Sequence, residues 1–251
     1  MTAGSFTELI LLTLFIGFSI YLSLPIIFFR KLSHKTIIAL TAGAAGILIF
    51  LLADIFSDVA STVYPPGSYV AAPALSILFV IFAGGSYLFL YMLENRRDPG
   101  TRSNPMSISI MVAVAIGFQN LTEGLVFGST WALGISGLVA VIFVGFVLQN
   151  FTEGFPIVSP FLGGNRPKLS VVSSLFFIGA FPTILGSLLG FYFSSTYVNV
   201  LFEALAIGSI LYIMMPMLQA LFKNLKDRGT RDMAYLGILG GFLIGFLVNA
   251  I

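Results

Sequence analysis

The sequence predicts an all-α, polytopic membrane protein: eight spanning helices forming one transmembrane domain over residues 1–251. Three observations predict it. Apolar residues make up 58% of the chain and charged ones 9%, against roughly 25% charged in an average soluble domain; with mean hydropathy +1.04 the chain has no polar exterior to offer water. The apolar residues fall in runs near the length of about 20 that a bilayer-crossing helix needs. All twelve Lys and Arg fall in alternate breaks between those runs. The abundance of glycine agrees, because membrane helices carry more of it than soluble ones.

Taken in order, the spans lie near 6–29, 36–60, 69–93, 105–128, 132–161, 169–193, 198–222 and 232–250. The first begins after a stretch with no basic residue and ends at Arg30-Lys31, so it reads as a span rather than a cleavable signal. His34 and Lys35 close that loop, and the second span runs to the turn Tyr64–Ser68. The third ends at the longest break, Asn95–Asn104, and the fourth at Ser129–Leu133. Gly163–Lys168 separates the fifth from the sixth, Ser194–Tyr197 the sixth from the seventh, and Lys223–Arg231 the seventh from the eighth.

The basic residues are Arg30, Lys31 and Lys35; Arg96, Arg97 and Arg102; Arg166 and Lys168; and Lys223, Lys226, Arg228 and Arg231. These are the odd-numbered connections, which places them in the cytoplasm and both termini outside. No basic stripe exists for nucleic acid; the lipid bilayer is the expected surrounding, most simply the plasma (cytoplasmic) membrane. Without cysteine there are no disulfides, thiolate catalysis or Cys-based metal sites.

Two segments carry the chemistry: Gln119-Asn120-Leu121-Thr122-Glu123-Gly124 in the fourth span and Gln149-Asn150-Phe151-Thr152-Glu153-Gly154 in the fifth, alike at five of six positions. A carboxylate in mid-membrane faces a polar interior and marks a pathway far more readily than it faces lipid. Residues four apart share a helix face, so Gln119 points with Glu123 and Gln149 with Glu153, while each Asn is turned by about 100°. Two such helices face to face offer four oxygen donors, and Asn120 and Asn150 offer a second, weaker site sharing the carboxylates. Two carboxylates balance a divalent cation. Their oxygens and those of the amides are fairly hard ligands that suit Zn²⁺, Fe²⁺ or Mn²⁺. Gly124 and Gly154 are expected to let the two motif helices approach closely, and Pro156 to kink the fifth span. The bland alternative is that such amides only glue helices together.

These motifs resemble the paired His-Asn-x-x-Glu-Gly and (His/Gln)-(Asn/Asp)-x-x-Glu-Gly signatures in the fourth and fifth helices of the ZIP family of divalent-metal transporters. The Gly-rich stretch 42–50 followed by Asp54 resembles the family's second helix, and Gly208-Ser209-Ile210-Leu211-Tyr212 its seventh. The resemblance implies a 3+2+3 helix arrangement, a binuclear metal centre, and spans 1, 4, 5 and 6 moving against 2, 3, 7 and 8. There are departures. Gln119 stands where His is usual, Thr122 and Thr152 replace a frequent Pro, and Met214, Met215, Pro216 and Met217 stand where acidic residues are frequent. Gly179-Ala180-Phe181-Pro182 resembles the family's Gly-x-x-Glu-Pro with Phe181 in place of a metal-binding Glu, which implies a weakened second site.

The expectation is a transporter that moves Zn²⁺, Fe²⁺ or Mn²⁺ toward the cytoplasm, less well as acid protonates Glu123 and Glu153. Gln119, Glu123, Gln149 and Glu153 would be the ligands, with Asn120 and Asn150 beside them. Asp54, Asp58, Glu8 and Glu203 fall near the outer ends of their spans, where an acidic mouth would concentrate cations; Asp54 and Glu203 are the candidate pathway residues, while Asp58 and Glu8 read at least as well as solvated interfacial carboxylates. Trp131 and Tyr64 read as interfacial anchors, and the Met cluster as flexible packing ahead of a soft-metal path. A monovalent-cation or proton-coupled carrier using the same carboxylates is the alternative. No enzyme is expected, because the spans hold no His or Cys to support hydrolysis beside the paired glutamates. No cofactor is expected beyond the transported ion, and the composition leaves a homodimer open.

Overall fold

The computed structural model describes residues 5–25, 33–64, 72–95, 104–134, 136–161, 167–193, 195–223, 225 and 227–249. They are helical almost throughout, in eight helices long and apolar enough to cross a membrane, as an integral, multi-pass membrane protein requires. The helices are α1 (Phe6–Phe18, continued as a 3₁₀ turn over Ser19–Ser23), α2 (His34–Val63), α3 (Pro73–Asn95), α4 (Pro105–Ala132), α5 (Ser136–Val158, then 3₁₀ over Ser159–Phe161), α6 (Leu169–Phe193), α7 (Thr196–Phe222) and α8 (Arg228–Asn249).

Local chemistry sets several starts. Ser5 and Glu8 form a reciprocal capping box on α1, which satisfies two orphan amides of the first turn. Ser33, Asn104 and Ser195 cap α2, α4 and α7 by accepting the N–H of Thr36, Met106 and Val198. Asp227 accepts the Thr230 N–H at 2.9 Å ahead of α8, and that amide holds its carboxyl below the usual carboxylate range.

Several boundaries differ from the sequence expectation. The fourth break is not Ser129–Leu133, because α4 runs on to Ala132. The stop is Gly134, which has a φ of 71°, a left-handed turn that a glycine makes without a Cβ clash. His34 lies in the first turn of α2 rather than in a loop, and Arg228 and Arg231 belong to the start of α8. Of the predicted breaks, Arg30, Lys31, Arg96, Arg97, Arg102, Arg166 and Lys226 lie outside the described residues, as does the end of the first predicted span beyond residue 25.

Glycine decides which helices touch most closely. A Cβ at Gly124 or Gly128 would strike backbone atoms of Thr183 or Ser187 in α6, and one at Gly186 or Gly190 would strike carbonyls of Leu121 or Leu125 in α4. Gly46 and Gly241 seat α2 against α8 in the same way, and Gly208 seats α7 against Ala83 of α3. Small residues permit this backbone proximity, the main route to tight packing where no hydrophobic force separates helix from lipid. The expectation that Gly124 and Gly154 bring the two motif helices together is corrected: Gly124 serves the contact with α6, and Gly154 abuts Ser23 and Phe176.

Close packing thereby sorts the helices. The closest partners of α4 and α1 include α6, while α2 pairs with α8 and α3 with α7. Between these sets, α7 lies along α4 and α2 along α5. Helix α4 is the centre, with 72% of its membrane-length window buried, against 11% for α3 and 17% for α8 at the perimeter.

Candidate functional site

The centre of the bundle is where both motifs meet. Helices α4 and α5 are consecutive, joined by the short turn at Gly134, and pack against each other. Gln119, Asn120, Glu123, Gln149, Asn150 and Glu153 are all buried, with Asn120, Asn150 and Glu153 fully so. The structure therefore brings all six sequence-predicted site residues into one polar cluster rather than turning any of them to the periphery.

Its hydrogen bonds are lopsided. Glu123 Oε1 accepts from Gln119 Nε2 at 3.0 Å and from Gln149 Nε2, and Oε2 accepts from Asn150 Nδ2 at 3.1 Å. Gln119 reaches Glu123 along its own helix, as the four-residue spacing requires; the other two amides arrive from α5. Asn120 Nδ2 then donates to Asn150 Oδ1 at 2.9 Å and to the Gly179 carbonyl of α6 at 3.1 Å. Asn150 also donates to the Phe146 carbonyl one turn back, at 2.9 Å. The cluster thus cross-links three helices through four amides and one carboxylate.

What it leaves over is acceptors. Both oxygens of Glu153, together with Gln119 Oε1 and Asn120 Oδ1, are buried and accept no hydrogen bond. The amide side chains beside Glu153 are those of Asn120 and Gln149. Burying one hydroxyl or amide without a partner costs on the order of 2 kcal/mol, and a carboxylate more. Four such oxygens in one cluster need a donor or a cation. Among the described residues no three His, Cys, Asp or Glu side chains gather into a metal-holding group. An ion here would draw on two carboxylates and on amide oxygens, and the amides now donating to Glu123 would present those oxygens after a half-turn of their terminal torsion.

A cavity of about 280 Å³ leads to the cluster. Its polar wall is Gln119, Thr122 and Glu123 of α4, Gln149 of α5, Asp54 and Asp58 of α2, and Glu203 of α7. Ile55, Val126, Ile142 and Phe146 supply the apolar part. It lies between α4–α5 on one side and α2–α7 on the other. From Glu123 it extends toward the end of the bundle that holds the C-terminus of α2 and the N-terminus of α7, and Asp58 at that end is exposed. Glu153, Asn120 and Asn150 lie beyond its floor.

The remaining predicted residues divide. Asp54 and Glu203 line the cavity, and so does Asp58, the outermost of the three. The signal for Asp58 was its spacing, since residues 54 and 58 share one face of α2. Glu8 is a helix cap. Trp131 lies one residue before the end of α4, partly buried, and packs tilted on Phe127 with centroids 6.2 Å apart and its Nε1 buried without a partner. Tyr64 is exposed at the end of α2. Met217 is buried and Met215 exposed, so they form no common path. Pro156 sits inside α5, which continues two residues beyond it before turning 3₁₀. Phe181 is 39% exposed and stacks on Phe177, so a carboxylate there would not face Glu123; the residues of α6 that face α4 include Gly179 and Thr183. Compared with known proteins, the chain matches no family model and no curated sequence.

Proposed function

We propose that this protein carries a divalent transition-metal cation, Zn²⁺, Fe²⁺ or Mn²⁺, across a membrane toward the cytoplasm by way of the Glu123–Glu153 cluster. The observation that carries the reading is the set of partnerless buried oxygens on Glu153, Gln119 and Asn120, at the foot of a cavity walled by carboxylates. Amide glue between helices would satisfy itself, donor to acceptor; this cluster has acceptors in surplus, and a cation is the group that consumes them. Two carboxylates offset a double charge where an unbalanced ion would be prohibitive. Glu123 and Glu153 would hold it with the oxygens of Gln119 and Gln149, and Asn120 and Asn150 would lock the pair.

Helix packing supports a way to move the ion. The three most extensive helix pairings, α4 with α6, α2 with α8 and α3 with α7, fall within the two sets of spans, 1, 4, 5 and 6 and 2, 3, 7 and 8, that the ZIP resemblance implies as moving bodies. Contacts between the sets include α4 on α7 and α2 on α5, and the cavity lies along them. The cavity extends toward connections that carry no Lys or Arg, so by the distribution of basic residues it faces outward, with both termini on that side. Alternating access would then open the cluster to the other face.

The test is uptake by proteoliposomes containing the purified chain, supplied with Zn²⁺, Fe²⁺, Mn²⁺, Na⁺ or K⁺ in parallel, beside thermal stabilisation by each ion, since a ligand stabilises the state that binds it. Uptake and stabilisation by a divalent ion alone are expected. Stabilisation by Na⁺ or K⁺ with no divalent uptake would replace this reading with that of a monovalent carrier.

A further inference from the structure

The carboxylates above the cluster are not explained by a site at Glu123 and Glu153. Glu203 is only 8% exposed, and its Oε2 is buried without a hydrogen-bond partner although the side chain lines the cavity. A carboxylate so placed bears a desolvation cost that only a donor or a cation relieves. Among the described residues, no Lys, Arg or His lines the cavity to supply one. Asp58 lies close enough to Glu203 for their charges to interact, and Asp54 stands in the same relation to Glu123. The acidic groups therefore descend in order, from exposed Asp58 through Glu203 and Asp54 to the buried pair.

We propose that Glu203 and Asp58 form an outer subsite that holds a divalent cation with most of its water, one step ahead of the buried cluster, with Asp54 between the two. It rests on reading the buried cluster as a cation site. The outer carboxylates are not drawn into a cage of three, so they bind the ion through water and at single oxygens, the manner in which hard cations are held when they keep their hydration shell. A cavity of about 280 Å³ has ample room for an ion carrying several waters. Apolar walls from Ile55, Val126, Ile142 and Phe146 focus the field of the carboxylates, which raises local cation concentration roughly ten-fold or more at low ionic strength. Dehydration is then confined to the last step, where the oxygens of Glu123, Glu153 and the amides replace the lost water.

Mn²⁺ titration of the full chain, followed by the loss of the free aqua-ion EPR signal, separates the two sites. The wild-type protein is expected to show a tight and a weaker class of bound Mn²⁺. Glu203→Gln with Asp58→Asn should abolish the weaker class and keep the tight one; Glu123→Gln with Glu153→Gln should do the reverse. A single class in the wild type, or a weaker class that survives Glu203→Gln with Asp58→Asn, overturns the outer subsite. Survival of the tight class in Glu123→Gln with Glu153→Gln overturns the buried site and leaves the outer one standing. Asp58→Asn alone guards against misfolding, because Asp58 is exposed; it should weaken the second class by itself, and an unchanged class would count against the proposal. In uptake assays Glu203→Gln should raise the apparent KM about ten-fold at low salt, an increase that fades at high salt as screening removes the field.

Discussion

The two copies of the motif agree at five of six positions and have opposite surroundings. Glu123 accepts from three amides, two of them brought from the other helix. Glu153, one helix away and more deeply buried, accepts from none. The glycines that follow them differ as well: Gly124 lies against the backbone of α6, whereas Gly154 lies against a serine side chain. Duplicated residues thus did not build a symmetric site. One carboxylate organises the donors, and the other is left with the charge that a cation would answer. The difference arises from the neighbours, because α6 closes on α4 through glycine while the 3₁₀ turn after α1 closes on α5.

The largest effect should come from removing either charge. Glu123→Gln and Glu153→Gln are each expected to lower divalent uptake by at least 100-fold in proteoliposomes, since one carboxylate cannot balance a double charge away from water. Stability should then tell the two apart. Glu123→Ala leaves the amides of Gln119 and Gln149 without the acceptor they use, at about 1–3 kcal/mol for each buried group left unpaired. Glu153→Leu removes two partnerless oxygens and is expected to hold or raise the melting temperature of the ion-free protein. Adding the transported ion should reverse the order, because the wild type gains from binding and Glu153→Leu does not. Equal melting shifts for the two variants would mean that the asymmetry is not a property of the protein in solution.

The glycines sharpen the comparison next. A methyl at Gly124 meets the carbonyl of Thr183 and the amide of Ser187, which cannot move without shifting α6. A methyl at Gly154 meets Ser23 Oγ first and then Ser23 Cβ and the Phe176 ring; the hydroxyl can rotate, but the Cβ gives way only with the turn that carries it. Gly124→Ala should therefore destabilise by about 2–3 kcal/mol, in the range of overpacked cores, and Gly154→Ala by about 1–2 kcal/mol, because only part of its clash is with a rotatable hydroxyl. Thermal unfolding in matched detergent would measure both; a larger loss at Gly154 would contradict the packing.

Which parts of this were legible in the sequence follows from what sequence encodes locally. Spans are set by the length and apolarity of runs, so their number could be read, and Gln119 with Glu123 shares a face by arithmetic alone. Partners across helices are another matter. Nothing within the fourth span announces that Gly124 and Gly128 belong to α6, because the complementary glycines lie at 186 and 190. The asymmetry between Glu123 and Glu153 was invisible for the same reason, since it depends on which way the amides of α5 turn. Asp58 fitted an acidic outer mouth and a solvated carboxylate equally, because a place near the end of a span suits both, and only the cavity wall separates them. The stop at Gly134 was missed because the apolar run around Trp131 gave no reason to look four residues beyond Thr130.

The smallest expected effect lies with the threonines. Thr122 Oγ1 donates to the Phe118 carbonyl at 3.2 Å and its side chain lines the cavity. Thr152 Oγ1 donates to the Gln149 carbonyl at 2.7 Å, and the cavity wall does not include it. Both bonds are made within one helix to a carbonyl three or four residues back, and such bonds contribute about 1 kcal/mol at most. Valine keeps the shape, so Thr122→Val and Thr152→Val should each melt within a few degrees of the wild type. Only Thr122→Val alters the surface an incoming ion passes, by replacing a hydroxyl that can touch its water with a methyl. A two- to three-fold rise in apparent KM for Thr122→Val, with Thr152→Val unchanged, is the expected outcome. A larger effect at Thr152 would show that the ion travels along the far side of α5, and the cavity beside α2 and α7 would lose its role.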